Sequence, residues 1–145
     1  MKPFTASIIA AFIATVVLSI LMLIKSSMGV MPELNVIKML ASQMNSTAGM
    51  GWVAHFVIGT VGYAIAYTVI AKVITTEKPI LMGIIVGILG WLVMMVALMP
   101  MMGKGLFATA MGMGPMPAVA TLVLHIIFGF VLGYTVCKLT QQKSS

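Results

Sequence analysis

The chain has 145 residues, of which 61% are hydrophobic and 7% charged, with a formal net charge of +6. A soluble domain carries about 25% charged residues because a folded surface in water needs them, and eight lysines, no arginine and two acids cannot cover one of this size. The lysines are scattered between apolar runs, which excludes a nucleic-acid footprint, and the lone Cys137 excludes an intramolecular disulfide and a cysteine-based zinc site.

The first element is an uncharged apolar run, Phe4–Ile24, long enough to cross a hydrocarbon core, which takes about 20 helical residues. Met1-Lys2 resembles the basic start of a signal peptide, but the run exceeds an h-region and no small-x-small site follows Ile24, so the sequence predicts an anchor. Next, Met31-Pro32-Glu33 reads as a helix start, with Pro in a first turn and Glu33 at the positive end of the dipole. Leu34, Ile37, Leu40, Ala41 and Met44 then recur at helical spacing, with Asn35, Lys38, Ser42 and Asn45 off that face. At about four turns this helix is too short to span and is expected to lie in the interface.

The second and third spans are expected at Gly51–Ala71 and Ile80–Met99, joined by the short turn Thr75-Thr76-Glu77-Lys78-Pro79. The connection from Pro100 to Pro117 is rich in Gly, Met and Pro, and its low polarity predicts packing on the bundle. The fourth span is expected at Ala118–Cys137. Lys2, Lys72, Lys78, Lys138 and Lys143 fall on one side and Lys25, Lys38 and Lys104 on the other, which favours cytoplasmic termini.

A shift of 70 positions lays His55 and Gly59 on His125 and Gly129, and Val53 and Val61 on Val123 and Val131. This predicts two repeat units, about 1–75 and 76–145. Each holds two spans, so the copies insert in the same direction, with any pseudo-two-fold axis along the membrane normal. The two histidines then share one depth, a turn or two below the outer boundary. Gly83-x-x-x-Gly87 and Gly129-x-x-x-Gly133 are small-xxx-small patterns that let helices approach closely in lipid. His55, Gly59 and Gly62 share one face, so the histidine face is expected to be a close-packing face as well.

An ionisable group inside a membrane defaults to a functional hypothesis, and His55 and His125 are the candidates. One reading is interhelical hydrogen bonding, with Thr60, Thr121 and Tyr63 as possible partners. A second is bis-histidine haem b, one ligand from each repeat. A third is Cu(I), a soft ion suited to thioethers, at Met101, Met102, Met111, Met113 and Met116. Against it, Met is also a flexible apolar filler, and the sequence favours neither cofactor over none. Tyr63, Tyr67, Tyr134, Trp52 and Trp91 read as interface anchors or packing. No catalytic set or phosphate loop is present, Glu33 and Glu77 fall on opposite sides, and an enzyme is not expected. An ion-coupled transporter would want membrane-embedded acids, which the spans lack.

The runs GWVAHFVIGT at 51–60, LMPMMGKGLF at 98–107 and TLVLHIIFG at 121–129 resemble an uncharacterised family, a domain of unknown function, of small bacterial membrane proteins. The resemblance implies four spans in a bacterial inner membrane and no assigned activity. The expected fold is therefore an all-α, polytopic four-helix bundle of two parallel two-helix repeats with an interfacial amphipathic helix. The expected role is a non-enzymatic accessory or scaffolding subunit of a larger membrane complex or homo-oligomer. The alternatives are a haem- or copper-binding protein using His55 and His125, or a small channel or transporter for an uncharged solute.

Overall fold

The structure is a computed structural model that describes residues 2–74 and 77–141. Four helices are long and apolar enough to cross a membrane: α1 (Pro3–Ser27), α3 (Ala48–Val73), α4 (Pro79–Met101) and α5 (Met116–Gln141). Together they make the chain a multi-pass membrane protein. Each runs one to four residues past its apolar stretch at both ends, because backbone hydrogen bonding continues until a cap or turn stops it. Thr47 starts α3 by accepting from the Met50 N–H, and Pro79 occupies the first turn of α4, where its missing N–H costs nothing.

The short helix α2 (Val36–Gln43) begins later than the sequence suggested and has two turns rather than four. Met31-Pro32-Glu33 does not open it. Met31 has a positive φ of 45° and its carbonyl accepts from the Leu34 N–H, so Pro32 and Glu33 sit in a turn. The cap is Asn35, whose side chain accepts from the Lys38 N–H. Leu34, Ile37, Met39, Leu40 and Ala41 are buried, Lys38 and Ser42 are exposed, and Met44 lies outside the apolar face. An eight-residue helix is not stable by itself, so α2 is held by this docked face.

Glycine decides how the long helices pair. A Cβ on Gly83 would meet the Gly129 carbonyl and the Gly133 backbone, and one on Gly87 would meet the His125 carbonyl. These two small-xxx-small stripes therefore face each other across α4 and α5, whose backbones are in direct contact. On the other side of the bundle Gly59 of α3 sits against the Thr15 side chain of α1. Helix α1 brings its own stripe of small residues, with Ala6, Ala10 and Ala14 fully buried at intervals of four. In lipid, with no water to expel, close backbone approach of this kind is what holds helices together.

The core divides in two. One cluster joins Ala10, Ala14, Tyr67, Val86, Phe128 and Leu132 among the four long helices. The second, at the α2 end, joins Leu34, Met39, Met95, Met99, Ala108 and Ala118. Ala108 comes from the second connection, which folds back as a 3-10 segment (Leu106–Met111) and packs on the bundle. Met95 and Met99 are among the largest fully buried side chains, and here they fill space between helices.

Both middle spans contain a π-helical segment, Ile58–Gly62 in α3 and Met94–Leu98 in α4. Such segments are rare and concentrate at functional sites. The one in α3 leaves a trace in the hydrogen bonding. Thr15, Ser19, Thr68, Thr121 and Thr140 each donate to the carbonyl four residues back. Thr60, inside the π segment where the carbonyl ladder is shifted, does not, and its Oγ1 is sealed in without a partner. A buried unsatisfied hydroxyl costs about 1–3 kcal/mol. Thr60→Val is therefore expected to raise stability by about 1 kcal/mol, whereas Thr15→Val should lower it; denaturation by a graded detergent series checks both signs.

Candidate functional site

Helices α3 and α4 approach each other through the Tyr63–Val73 and Pro79–Val93 segments, and Ala48–Val57 makes no comparable approach to α4 among the described residues. The space left over is a cavity of about 530 Å³ that all four long helices and α2 line. Its walls are almost wholly apolar, with Leu18, Ile58, Val86, Leu89, Val93 and Phe128 among them. Ile58, Leu89 and Val93 are also exposed on the outside of the bundle, so the cavity opens sideways between α3 and α4. Leu34, Val36, Met39 and Leu40 close it at the α2 end.

Its shape follows from the helices that line it. The lining runs from His55 to Ile70 on α3 and from Val86 to Met99 on α4, which at 1.5 Å per residue is about 20 Å of length. A space drawn out along the helices in this way suits a chain lying along the bundle.

Both histidines line this cavity. His55 is buried, and its Nε2 lies 3.1 Å from Ser19 Oγ of α1. Ser19 donates its one proton to the Thr15 carbonyl at 2.7 Å; with that bond kept, His55 Nε2 is the donor and Nδ1 carries the lone pair. His125 Nδ1 lies 2.8 Å from the Thr121 carbonyl. A carbonyl only accepts, so Nδ1 holds the proton and Nε2 carries the lone pair. Each ring is thus fixed in one tautomer, with one nitrogen committed to the protein and one left free. A hydroxyl and a backbone carbonyl are thus the partners: Thr121, one of the residues read in the sequence, serves His125 through its carbonyl within α5, and Ser19 rather than Thr60 or Tyr63 serves His55.

Neither free nitrogen has a partner among the described residues, and neither is sealed off as Thr60 Oγ1 is. Both belong to residues that line the cavity. Tyr63 adds a phenol without a hydrogen-bond partner among the described residues; it stands against Gly90, where a Cβ would meet Tyr63 Oη, and its ring packs on Phe128 at 4.5 Å between centroids. At the α2 end Lys25 Nζ donates to the Met31 carbonyl at 3.0 Å and the Leu34 carbonyl at 2.8 Å, which uses two of its three protons. Trp91 Nε1 donates to the Ala118 carbonyl and the Thr121 hydroxyl, tying α4 to α5 above His125.

The methionines fall otherwise. None of Met101, Met102, Met111, Met113 and Met116 lines the cavity, and Met102 and Met111 pack on the buried cluster around Met95 and Met99. Those that do line it are Met22, Met39, Met94 and Met99. No group of three His, Cys, Asp or Glu side chains close enough to hold a metal occurs among the described residues. Of the glycines singled out in the sequence, Gly59, Gly83, Gly87, Gly129 and Gly133 make close helix contacts, whereas Gly62 makes none and lines the cavity instead. Ser19, Thr15 and Lys25 escaped the sequence reading, although Thr15 and Ser19 are polar residues one turn apart in an apolar span. A model of a family of unknown function, DUF6789, matches residues 1–145. No curated protein and no solved structure matches the chain.

Proposed function

The chain belongs to that family of unknown function, and we propose from its cavity that it is a membrane-embedded binding protein for a chain-like apolar ligand taken from the bilayer. One observation carries the reading: a cavity of about 530 Å³, walled by apolar side chains from five helices, reaches the exposed residues Ile58 of α3 and Leu89 and Val93 of α4. Ligand sites are typically concave, about 300–1,000 Å³, largely apolar and furnished with a few placed polar groups, and this one has His55, His125 and Tyr63. The opening toward α3 and α4 and the extent along the helices fit a lipid or prenyl chain.

The accessory-subunit reading drew on glycine faces available to a partner. In this fold Gly83, Gly87, Gly129 and Gly133 are covered by the chain's own α4 and α5, and Gly59 by α1. That support is used up internally. The haem reading draws on the same two histidines, but His55 offers Nδ1 rather than Nε2, and the space runs along the bundle as a chain does. The lysine distribution supports termini on the cytoplasmic side, and the sequence resemblance supports a bacterial inner membrane.

Gly62 supplies the test. It lines the cavity, and a Cβ there meets only Ile58 of its own helix at 3.9 Å. Gly62→Leu therefore starts from a Cβ with ordinary clearance and adds bulk at the cavity wall, and it removes a glycine that costs about 1 kcal/mol in a helix interior. In vesicles containing a single-chain lipid with a photoreactive diazirine on its tail, the wild-type protein is expected to be labelled preferentially at Ile58, Leu89 and Val93. Gly62→Leu should melt normally and lose that preference. Labelling spread evenly over outward positions such as Val53 and Val123 in the wild type would overturn the reading.

A further inference from the structure

The hydrogen-bond arithmetic of the cavity says what kind of head group it accepts. His55 Nδ1 and His125 Nε2 are both unprotonated, because the other nitrogen of each ring donates to Ser19 and to the Thr121 carbonyl respectively. The polar groups beside the histidines are therefore two acceptors together with the Tyr63 phenol, which serves either way, while Lys25 and its third proton lie at the α2 end of the space. An acceptor without a partner in apolar surroundings is unfavourable, and a ligand that donates to it relieves that cost. A ligand carbonyl in the same place would set lone pair against lone pair. Reversing either tautomer does not help, since it breaks a hydrogen bond to Thr121 or the relay through Ser19 to the Thr15 carbonyl. Tyr63 and Phe128, packed together on the cavity wall, offer an aromatic surface beside these acceptors.

We infer that the cavity selects a ligand whose head donates hydrogen bonds from an aromatic ring, a hydroquinone or phenol on an apolar chain, over the corresponding quinone. The selection is one of binding and involves no electron transfer. It rests on the reading of the cavity as a chain-binding site, and the experiment separates the two.

Protein in nanodiscs, labelled by the photoreactive chain lipid, is competed under anaerobic conditions with decylhydroquinone, decylbenzoquinone and decylbenzene, each expressed as a ratio to lipid. The hydroquinone is expected to displace the probe at about one tenth the ratio the quinone needs, as follows from one to two hydrogen bonds of ordinary strength. His125→Phe should narrow the gap between the two ratios, leaving only the part that His55 supplies. Equal or better displacement by the quinone in the wild-type protein would overturn the donor preference, and so would equal displacement by decylbenzene; both leave the chain site standing. Failure of all three to displace the probe would overturn the chain site with it. The wild-type comparison needs no variant, so it holds even if His125→Phe does not fold.

Discussion

Gly83→Ala is expected to destabilise the protein by about 3 kcal/mol or more, the upper end of what forcing a methyl into a packed interior costs, and Gly83→Leu to abolish folding. A Cβ on Gly83 meets the Gly129 carbonyl together with the Gly133 nitrogen and Cα, all of them backbone. Backbone cannot rotate out of the way as a side chain does. The helices must separate, and with them goes the contact between α4 and α5 that forms the closest seam of the bundle. Gly49→Ala is the matched control. Gly49 lies in the first turn of α3, where a Cβ finds only Thr47 Oγ1 at an ordinary 3.6 Å. There the same substitution should be neutral or stabilise by up to about 1 kcal/mol, because alanine is the better helix former. The two substitutions are chemically identical, so opposite signs in a denaturation series isolate the helix seam as the cause. Equal effects would show that the seam is looser than its geometry says.

The second large effect is expected from Gly51→Leu, and it should appear in α2 rather than in the bundle. A Cβ on Gly51 would meet the Ile37 carbonyl, with Ile37 Cγ2 and Ala41 Cβ at 3.1 and 3.2 Å. Helix α2 must then lift away from α3. Ile37, Met39 and Leu40 are buried by the docking, and burial of each large apolar side chain contributes about 1.5–3 kcal/mol. Losing it should raise amide exchange in Val36–Gln43 by about a hundredfold or more, at 1.4 kcal/mol per tenfold. The four long helices should keep their protection, since their contacts with one another do not pass through Gly51. Because Leu34, Val36, Met39 and Leu40 close one end of the cavity, release of the photoreactive lipid should quicken in the same variant. Faster exchange in α2 with unchanged release would mean that ligands come and go only through the gap between α3 and α4.

The four spans were legible because they are long, apolar and free of charge, a signal that survives ignorance of every contact. The Gly83 and Gly129 stripes were legible as packing faces, but a stripe does not name its partner; only the fold shows that they meet each other. Ala6, Ala10 and Ala14 went unnoticed for the opposite reason. Alanine in an apolar run is too common to mark a seam, although its spacing of four is that of a packing stripe. The start of α2 was misplaced because proline and an acid suit a turn as well as a first helical turn, and Asn35, the stronger cap, stood four residues beyond Met31. The histidines were legible as candidates and Thr121 as a partner, but Ser19 was not. Ser19 lies 36 residues from His55 in the chain, and no periodicity within one span reports a hydrogen bond to another. The π segments and the cavity had no signature at all, being consequences of how far apart α3 and α4 come to rest.

That separation changes the currency in which affinity is counted. A ligand slipping in between Ile58 and Gly62 on one side and Leu89 and Val93 on the other never leaves hydrocarbon. Lipid tails are as apolar as the cavity wall, so moving between them gains nothing from the expulsion of water. What remains is mole fraction in a plane. A lipid present at one part in a hundred competes with ninety-nine neighbours, and half-filling the site takes a preference of about a hundredfold, or about 2.8 kcal/mol. Two hydrogen bonds of ordinary net strength, at about 1–1.5 kcal/mol each, supply it. On the proposed reading, a few polar groups such as the two imidazoles and the Tyr63 phenol in an otherwise apolar cavity are enough to pick a minority lipid out of its membrane.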